Sequence, residues 1–226
     1  MSEIPTYTGF FRVANIAEFS HSLAPELAQQ MGGILLAAEI GCSSGQESWS
    51  MAAALEANQV DYHIEAFDID AEAIAQTQQP YAMPRLTSLA NTLQESRYPD
   101  ACLDYFETKV LDTDDRPLAV AEPKQTLRDK VSFEHRDLLD KPLPANNYGV
   151  VVINNVLYHH ANGERDKLAG NAVDSLIPGG ALLVESFYRR HSQDYLLWRN
   201  QLAGRFGLKA VNRHNHELPT IFQKLA

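Results

Sequence analysis

The stretch from Ala37 to Glu47 constrains this chain more than any other. Residues 34–40 form an apolar run short enough for a buried strand. The run stops at Gly41, Gly45 follows after Cys42-Ser43-Ser44, and Trp49, Ala52, Ala53 and Leu55 then recur at helical spacing. Strand, glycine turn and helix present backbone N–H groups and a helix N-terminus to a ligand in a doubly wound sheet. Glycines there remove Cβ atoms where a ligand approaches the backbone. Residues 63–67 read as a second strand, which ends in Asp68-Ile69-Asp70. An acid at the tip of the second strand is where such folds hold ribose hydroxyls. Turn and acid together point to an adenosine-containing cofactor.

Three other readings of the turn compete. The dinucleotide fingerprint needs G-x-G-x-x-G, which Gly41-Cys42-Ser43-Ser44-Gly45 does not supply. The same residues satisfy G-x-S-x-G, the nucleophile elbow of hydrolases, with Ser43 as nucleophile. An elbow needs earlier strands and an upstream oxyanion loop, and residues 1–42 carry no such motif. The third reading is a strand-to-helix turn with no ligand.

Composition narrows the partners. Acidic residues outnumber basic ones by 29 to 19, a net charge of −10, which argues against a nucleic-acid backbone as the main partner. Cys42 and Cys102 form neither a disulfide framework nor a zinc spacing. With no signal peptide and no membrane-length apolar run, a cytoplasmic protein without a membrane partner is expected.

The rest of the chain alternates strands and helices around that turn. A helical pattern through Ile16, Phe19, Leu23 and Leu27 ends at Gly32-Gly33, so 1–33 reads as an N-terminal helical segment. A short helix over 71–78 stops at Pro80. Residues 80–128, rich in proline and with a helix expected over 85–96, read as an elaborated connection without a core of its own. Further strands are expected at 131–135, 148–153, 181–187, 208–211 and 219–224, with helices over 164–176 and 193–205. The expected architecture is α/β: one domain over 1–226 with a doubly wound, mainly parallel seven-stranded sheet. Helices cover both faces, and a C-terminal antiparallel hairpin closes the sheet.

At this point the residues resemble a family. Glu39 to Ser50 is similar to the first motif of the CheR-type S-adenosylmethionine-dependent methyltransferases, which have the class I, Rossmann-like fold and methylate receptor glutamates. Thr8-Gly9-Phe10-Phe11-Arg12 resembles that family's threonine-x-Phe-Phe-Arg segment. Phe67-Asp68-Ile69-Asp70 and Tyr81 resemble its second-strand motif and the following tyrosine. Tyr105-Phe106, Leu127-Arg128 and Val131-Ser132-Phe133 fall where the family has similar pairs, and Asn155-Val156-Leu157 matches its Asn-Val-hydrophobe.

The resemblance implies S-adenosylmethionine as cofactor and assigns roles by position. Thr8 and Arg12 would reach the methionine end, with the Arg12 cation facing its carboxylate. Gly41 leaves room for the methionyl and ribose portion, with Ser43 in the same turn, and Glu47 matches a cofactor-contacting glutamate. Asp68 would accept from the ribose hydroxyls, Asp137-Leu138 would flank the adenine, and Asn155-Val156 would line the pocket near the sulfonium. The chain also departs from the family. Only residues 1–7 precede Thr8, where the family has a helical receptor-docking domain, and no insertion reads as long enough for its receptor-tethering β-subdomain. The family's arginine before Asn-Val is Asn154 here, and its Tyr-Phe is Tyr158-His159.

Those departures move the expected acceptor from a receptor glutamate toward a small organic molecule, with a protein acceptor as the alternative. A carboxylate acceptor needs no general base. A hydroxyl or amine can use one, and Tyr158, His159 and His160 lie at the right strand end as catalytic candidates. Tyr81 and Tyr158 read either as acceptor-pocket residues or as core aromatics, and Asp70 as a helix N-cap. His214-x-His216 offers two ligands, too few for a metal site. A non-catalytic module that only binds the cofactor is the remaining class.

Overall fold

The computed structural model describes residues 10, 11, 13–77, 79, 81–83, 98–111, 118–185, 193–211 and 220–225. Thr8, Arg12, the helix expected over 85–96 and the His214-x-His216 pair lie outside the described residues.

The N-terminal pattern forms two helices, α1 (Ala14–Ser22) and α2 (Ala24–Gln30). They divide at Leu23 because Pro25 fills the first turn of α2, where its missing N–H is tolerated, and could not continue α1. Strand β1 (Leu35–Ile40), helix α3 (Gln46–Ala57), strand β2 (Tyr62–Asp68) and helix α4 (Ala71–Gln76) follow. Asp70 caps α4, its carboxylate accepting from the N–H groups of Glu72 and Ala73 at 2.9 and 3.2 Å. After the connection come α5 (Gln125–Arg128), β6 (Val131–His135) and β7 (Tyr148–Val152). The chain continues with α6 (Asn162–Ser175), β8 (Leu176–Leu183), α7 (Gln193–Asn200), α8 (Leu202–Phe206), β9 (Leu208–Ala210) and β10 (Ile221–Lys224).

Seven strands form one sheet in the order β6-β2-β1-β7-β8-β10-β9. β6, β2, β1, β7 and β8 run parallel, and β10 pairs antiparallel with both β8 and β9. This is the mainly parallel sheet with a terminal hairpin that the alternation of apolar runs implies. One boundary differs: the strand expected from 181 begins at Leu176, and Pro178-Gly179-Gly180 lies inside β8 as an irregularity in its pairing with β7. Two cores flank the sheet. Phe11, Ile16, Phe19, Leu35, Trp49, Met51 and Ile64 fill one face, and Ile40, Phe67, Val151, Leu168, Leu182 and Trp198 the other. α3 is buried from Glu47 to Leu55 because it lies between the sheet and an outer layer of α1 and a 3-10 turn, Asp100–Tyr105.

The connection corrects an expectation. Its sequence reads as holding no insertion large enough for a β-subdomain, yet β3 (Tyr81–Met83), β4 (Phe106–Leu111) and β5 (Leu118–Pro123) form a separate three-stranded antiparallel sheet, ordered β3-β5-β4. Phe106 ties this accessory sheet to the main core, its ring packed edge-on against Phe10 and Phe11 at 5.1 and 5.7 Å.

Candidate active site

The strand order reverses between β1 and β7. From β1 the chain moves outward through β2 and β6, then returns to the other side of β1, so the loops after β1 and β7 diverge and open a crevice. Gly41 follows β1 and Val156 follows β7, and they meet there: a Cβ on Gly41 would lie 2.3 Å from Val156 Cγ2. Gly41 also has φ +77°, so glycine is required twice over.

The turn after β1 passes through the left-handed region at Gly41, Ser43 (φ +50°) and Gly45 (φ +87°). A serine there costs about 1–2 kcal/mol in backbone energy. Asp68 offsets it, one carboxylate oxygen accepting from the Ser43 N–H at 2.7 Å and the other from the Asp70 N–H at 2.9 Å. Each oxygen retains acceptor capacity, so Asp68 both holds the turn and faces the crevice with spare lone pairs. Ser43 Oγ is buried without a hydrogen-bond partner, and α3, twelve residues long, begins at this turn with Gly45 as N-cap and no side chain capping it. An orphaned buried hydroxyl, an acid with spare lone pairs and a free helix N-terminus fit an adenosine cofactor. Cys42, buried in the same turn, has its thiol pushed well above the ordinary range, first by desolvation and then by Glu39 and Asp68.

Across the crevice, Asn155 has φ +58° and donates its N–H to the Glu185 carbonyl at 2.8 Å. Left-handed non-glycine residues on both facing loops concentrate backbone strain at the switch point. Asp137 accepts from the Leu139 N–H at 2.8 Å in a tight turn, and Leu138 is buried with Ile40 and Phe67. Glu47 is buried and accepts from Asn154 Nδ2 at 2.7 Å, while Asn15 Nδ2 donates to Asn154 Oδ1 at 3.2 Å. This buried amide–carboxylate network links α1, α3 and the end of β7. Sequence reading noted Asn154 as a departure but missed Asn15, whose signal was a polar residue between the core positions Val13 and Ile16.

The three candidate catalytic residues sit together on a 3-10 turn, Leu157–His159, and just after it. The rings of Tyr158 and His159 lie with centroids 3.9 Å apart, tilted by 39°. Desolvation, then the neighbouring His160, holds the His159 pKa below the ordinary histidine value. His160 Nδ1 lies 3.6 Å from Glu164 Oε2. Arg165, which sequence reading passed over, fixes this turn from beneath. It is buried, and its guanidinium donates to the Leu157 and His160 carbonyls at 2.9 and 2.8 Å and stacks over Tyr195 and Trp198. Nothing in the sequence distinguished it from a solvated helix charge. Tyr81 lies behind the glycine turn, buried, and so does not line the open crevice.

Among the described residues no helix is long and apolar enough to cross a membrane. No curated protein matches the chain by sequence. Among solved structures the fold is similar to a putative S-adenosyl-L-methionine-dependent methyltransferase from Methanococcus maripaludis, at 12% identity over 99% of this chain and 98% of that one, TM-score 0.51. It also resembles an O-methyltransferase family protein from Burkholderia thailandensis, at 13% identity, TM-score 0.51, with 94% of this chain matching 55% of that one. The N-methyltransferase NodS from Bradyrhizobium japonicum WM9, in complex with S-adenosyl-L-homocysteine, is 15% identical over 92% of this chain and 87% of that chain, TM-score 0.45. The family model for the CheR methyltransferase, SAM binding domain, matches residues 6–187, most of the chain. With the glycine turn, Asp68 and the Asn155-Val156 tip arranged around one crevice, the chain belongs to the CheR family of S-adenosylmethionine-dependent methyltransferases.

Proposed function

We propose that the protein methylates a small organic acceptor entering over the end of β7. The observation that carries this reading is Asn154. Where the family has an arginine, this chain has a neutral amide already committed to Glu47 and Asn15. That position offers no cation to an acceptor carboxylate, which favours a hydroxyl or amine.

When bound, S-adenosylmethionine supplies an electrophilic methyl group on a sulfonium sulfur. In this reading Asp68 receives the ribose hydroxyls, Gly41 and Ser43 give the backbone surface for the methionyl and ribose portion, and Asp137-Leu138 flank the adenine. Glu47 and Asn155-Val156 shape the methyl-transfer end, with Thr8 and Arg12 at the methionine end. His159 takes the acceptor's proton: its lowered pKa leaves the ring neutral near pH 7, with a nitrogen lone pair available. Arg165 keeps Tyr158 and His159 in place by holding the carbonyls on either side of them. Positioning is the main catalytic contribution, since acceptor and methyl carbon must be held about 3–3.5 Å apart in line.

A second reading, transfer to a protein glutamate, draws support from the accessory sheet, because the resembling family uses a small β-subdomain to tether receptors. Methyl-labelled S-adenosylmethionine, offered with amines, phenols and carboxylic acids and separately with receptor-derived glutamate peptides, separates the two. The proposal expects label on amines or hydroxyls; alkali-labile label on peptide glutamates refutes it.

A further inference from the structure

The accessory sheet and the glycine turn meet at one side chain. Tyr81 begins β3, where it pairs with Ala121 of β5. Its hydroxyl donates to the Ser44 carbonyl at 2.6 Å and accepts from Trp49 Nε1 at 2.8 Å, with the Thr77 carbonyl 3.1 Å away. Its ring is held edge-on against Phe10 at 5.1 Å. The turn has little room on this side: a Cβ on Gly45 would lie 3.2 Å from the Tyr81 hydroxyl and 2.8 Å from Phe133. Ser44 lies between Ser43, strained at φ +50°, and Gly45, the N-cap of α3. Asp68 grips the turn from the strand side through the Ser43 N–H at 2.7 Å, and Tyr81 grips the next residue from behind through its carbonyl.

We propose that Tyr81 is a positioning residue through which the accessory sheet sets the conformation of the cofactor turn, so that cofactor binding and accessory-sheet stability are coupled. The Ser43 N–H and the Ser44 carbonyl belong to the peptide units on either side of the Ser43–Ser44 peptide, so holding both leaves the unit between them little freedom to rotate. Releasing the carbonyl lets the turn relax out of its left-handed geometry, and the N–H groups at the start of α3 then lose their alignment. Coupling of this kind is reciprocal: whatever orders the turn must steady β3 and its partner β5 by the same free energy. The inference concerns the cofactor alone and holds for either class of acceptor.

S-adenosylhomocysteine serves as the probe. Tyr81→Phe keeps the ring packing and removes only the hydroxyl. It is expected to weaken S-adenosylhomocysteine binding about tenfold, by calorimetric titration, the equivalent of about 1.4 kcal/mol. Tyr148→Phe is the reference, since it removes another buried tyrosine hydroxyl, one that bonds Glu65 on the opposite face of the sheet. Its affinity should stay within about twofold of the parent, a change of about 0.4 kcal/mol. Saturating S-adenosylhomocysteine should also slow amide exchange in residues 81–83 and 118–122 of the parent, and leave those amides unchanged in Tyr81→Phe. Three results overturn the inference: unchanged affinity in Tyr81→Phe, an equal loss in Tyr148→Phe, or no ligand-dependent protection of those amides in the parent. The exchange measurement on the parent stands even if the Tyr81 variant does not fold.

Discussion

Asp68→Ala tests the centre of the site. The carboxylate has two tasks, bonding the Ser43 and Asp70 N–H groups at 2.7 and 2.9 Å and, in the proposed site, receiving the ribose hydroxyls. A hydrogen bond to a charged group contributes about 1.5–3 kcal/mol. Loss of the ribose contact alone therefore weakens S-adenosylhomocysteine binding by about 10- to 150-fold. The structural task adds a separate cost. With its acid gone, the Ser43 N–H turns to water, and a left-handed serine worth about 1–2 kcal/mol of strain loses its restraint. Both bonds are at the surface end of β2, so the fold survives with a melting temperature lowered by about 2–8 °C, taking 1–2 kcal/mol and 2–4 °C per kcal/mol. Asp68→Asn separates the tasks: its amide oxygen can still accept from Ser43, but its NH2 group faces the Asp70 N–H, two donors opposed. Calorimetric titration beside thermal melts reads both quantities. Parent-like affinity in Asp68→Ala would refute the ribose assignment outright. A loss of affinity reproduced by any equally destabilised variant would make Asp68 a scaffold residue.

Other perturbations address the neighbouring residues. Gly41→Ala should abolish measurable S-adenosylhomocysteine binding, because its Cβ meets Val156 Cγ2 at 2.3 Å and its φ of +77° is strained for any side chain; Val156→Ala should restore little, since the backbone strain remains, and full restoration would show that the clash alone matters. Ser43→Ala should weaken titrated affinity by no more than about 0.5–1.5 kcal/mol, the contribution of one neutral hydrogen bond, and reveal no serine-dependent esterase turnover; an esterase abolished by this one change would revive the hydrolase reading. His159 should titrate by NMR below 6.5, the ordinary value, and His160→Ala should move it upward by removing a like charge. A lowered histidine pKa means the unfolded chain binds more protons, so this group's contribution to stability is full above about 6.5 and is lost as pH falls through the folded value. Methyl transfer to a hydroxyl or amine should fall over the same range, and a rate limb at or above 6.5 would exclude His159 as the base.

What was legible beforehand was local. The apolar runs at 34–40 and 148–153 became β1 and β7, because a strand buried on both faces must be apolar at nearly every position, while the mixed runs at 63–67 and 131–135 became β2 and the half-exposed edge strand β6. The glycines of the turn could be read because left-handed backbone and close approach exclude other side chains, and Asp70 could be read as a cap from its place before α4. The family resemblance added the β7 tip, whose Val156 does lie against Gly41. None of these inferences required knowing which distant residue is the partner.

The accessory sheet was not legible for the opposite reason. β3 has three residues, and β4 carries Glu107, Thr108 and Lys109 on exposed positions, so neither shows the alternation of a half-buried strand. β3 pairs antiparallel with β5 across a long stretch of chain, and register of that kind is set by the partner rather than by the strand. Arg165 and the Asn15–Asn154–Glu47 network were hidden likewise: a buried cation or amide is stable only where acceptors from other elements converge on it. The local code of strands, turns and caps sufficed to find the glycine turn and the acid at the tip of β2. Which side chains brace the turn and shape the acceptor end depended on tertiary contacts, because a buried polar group's partners come from segments far apart in the chain.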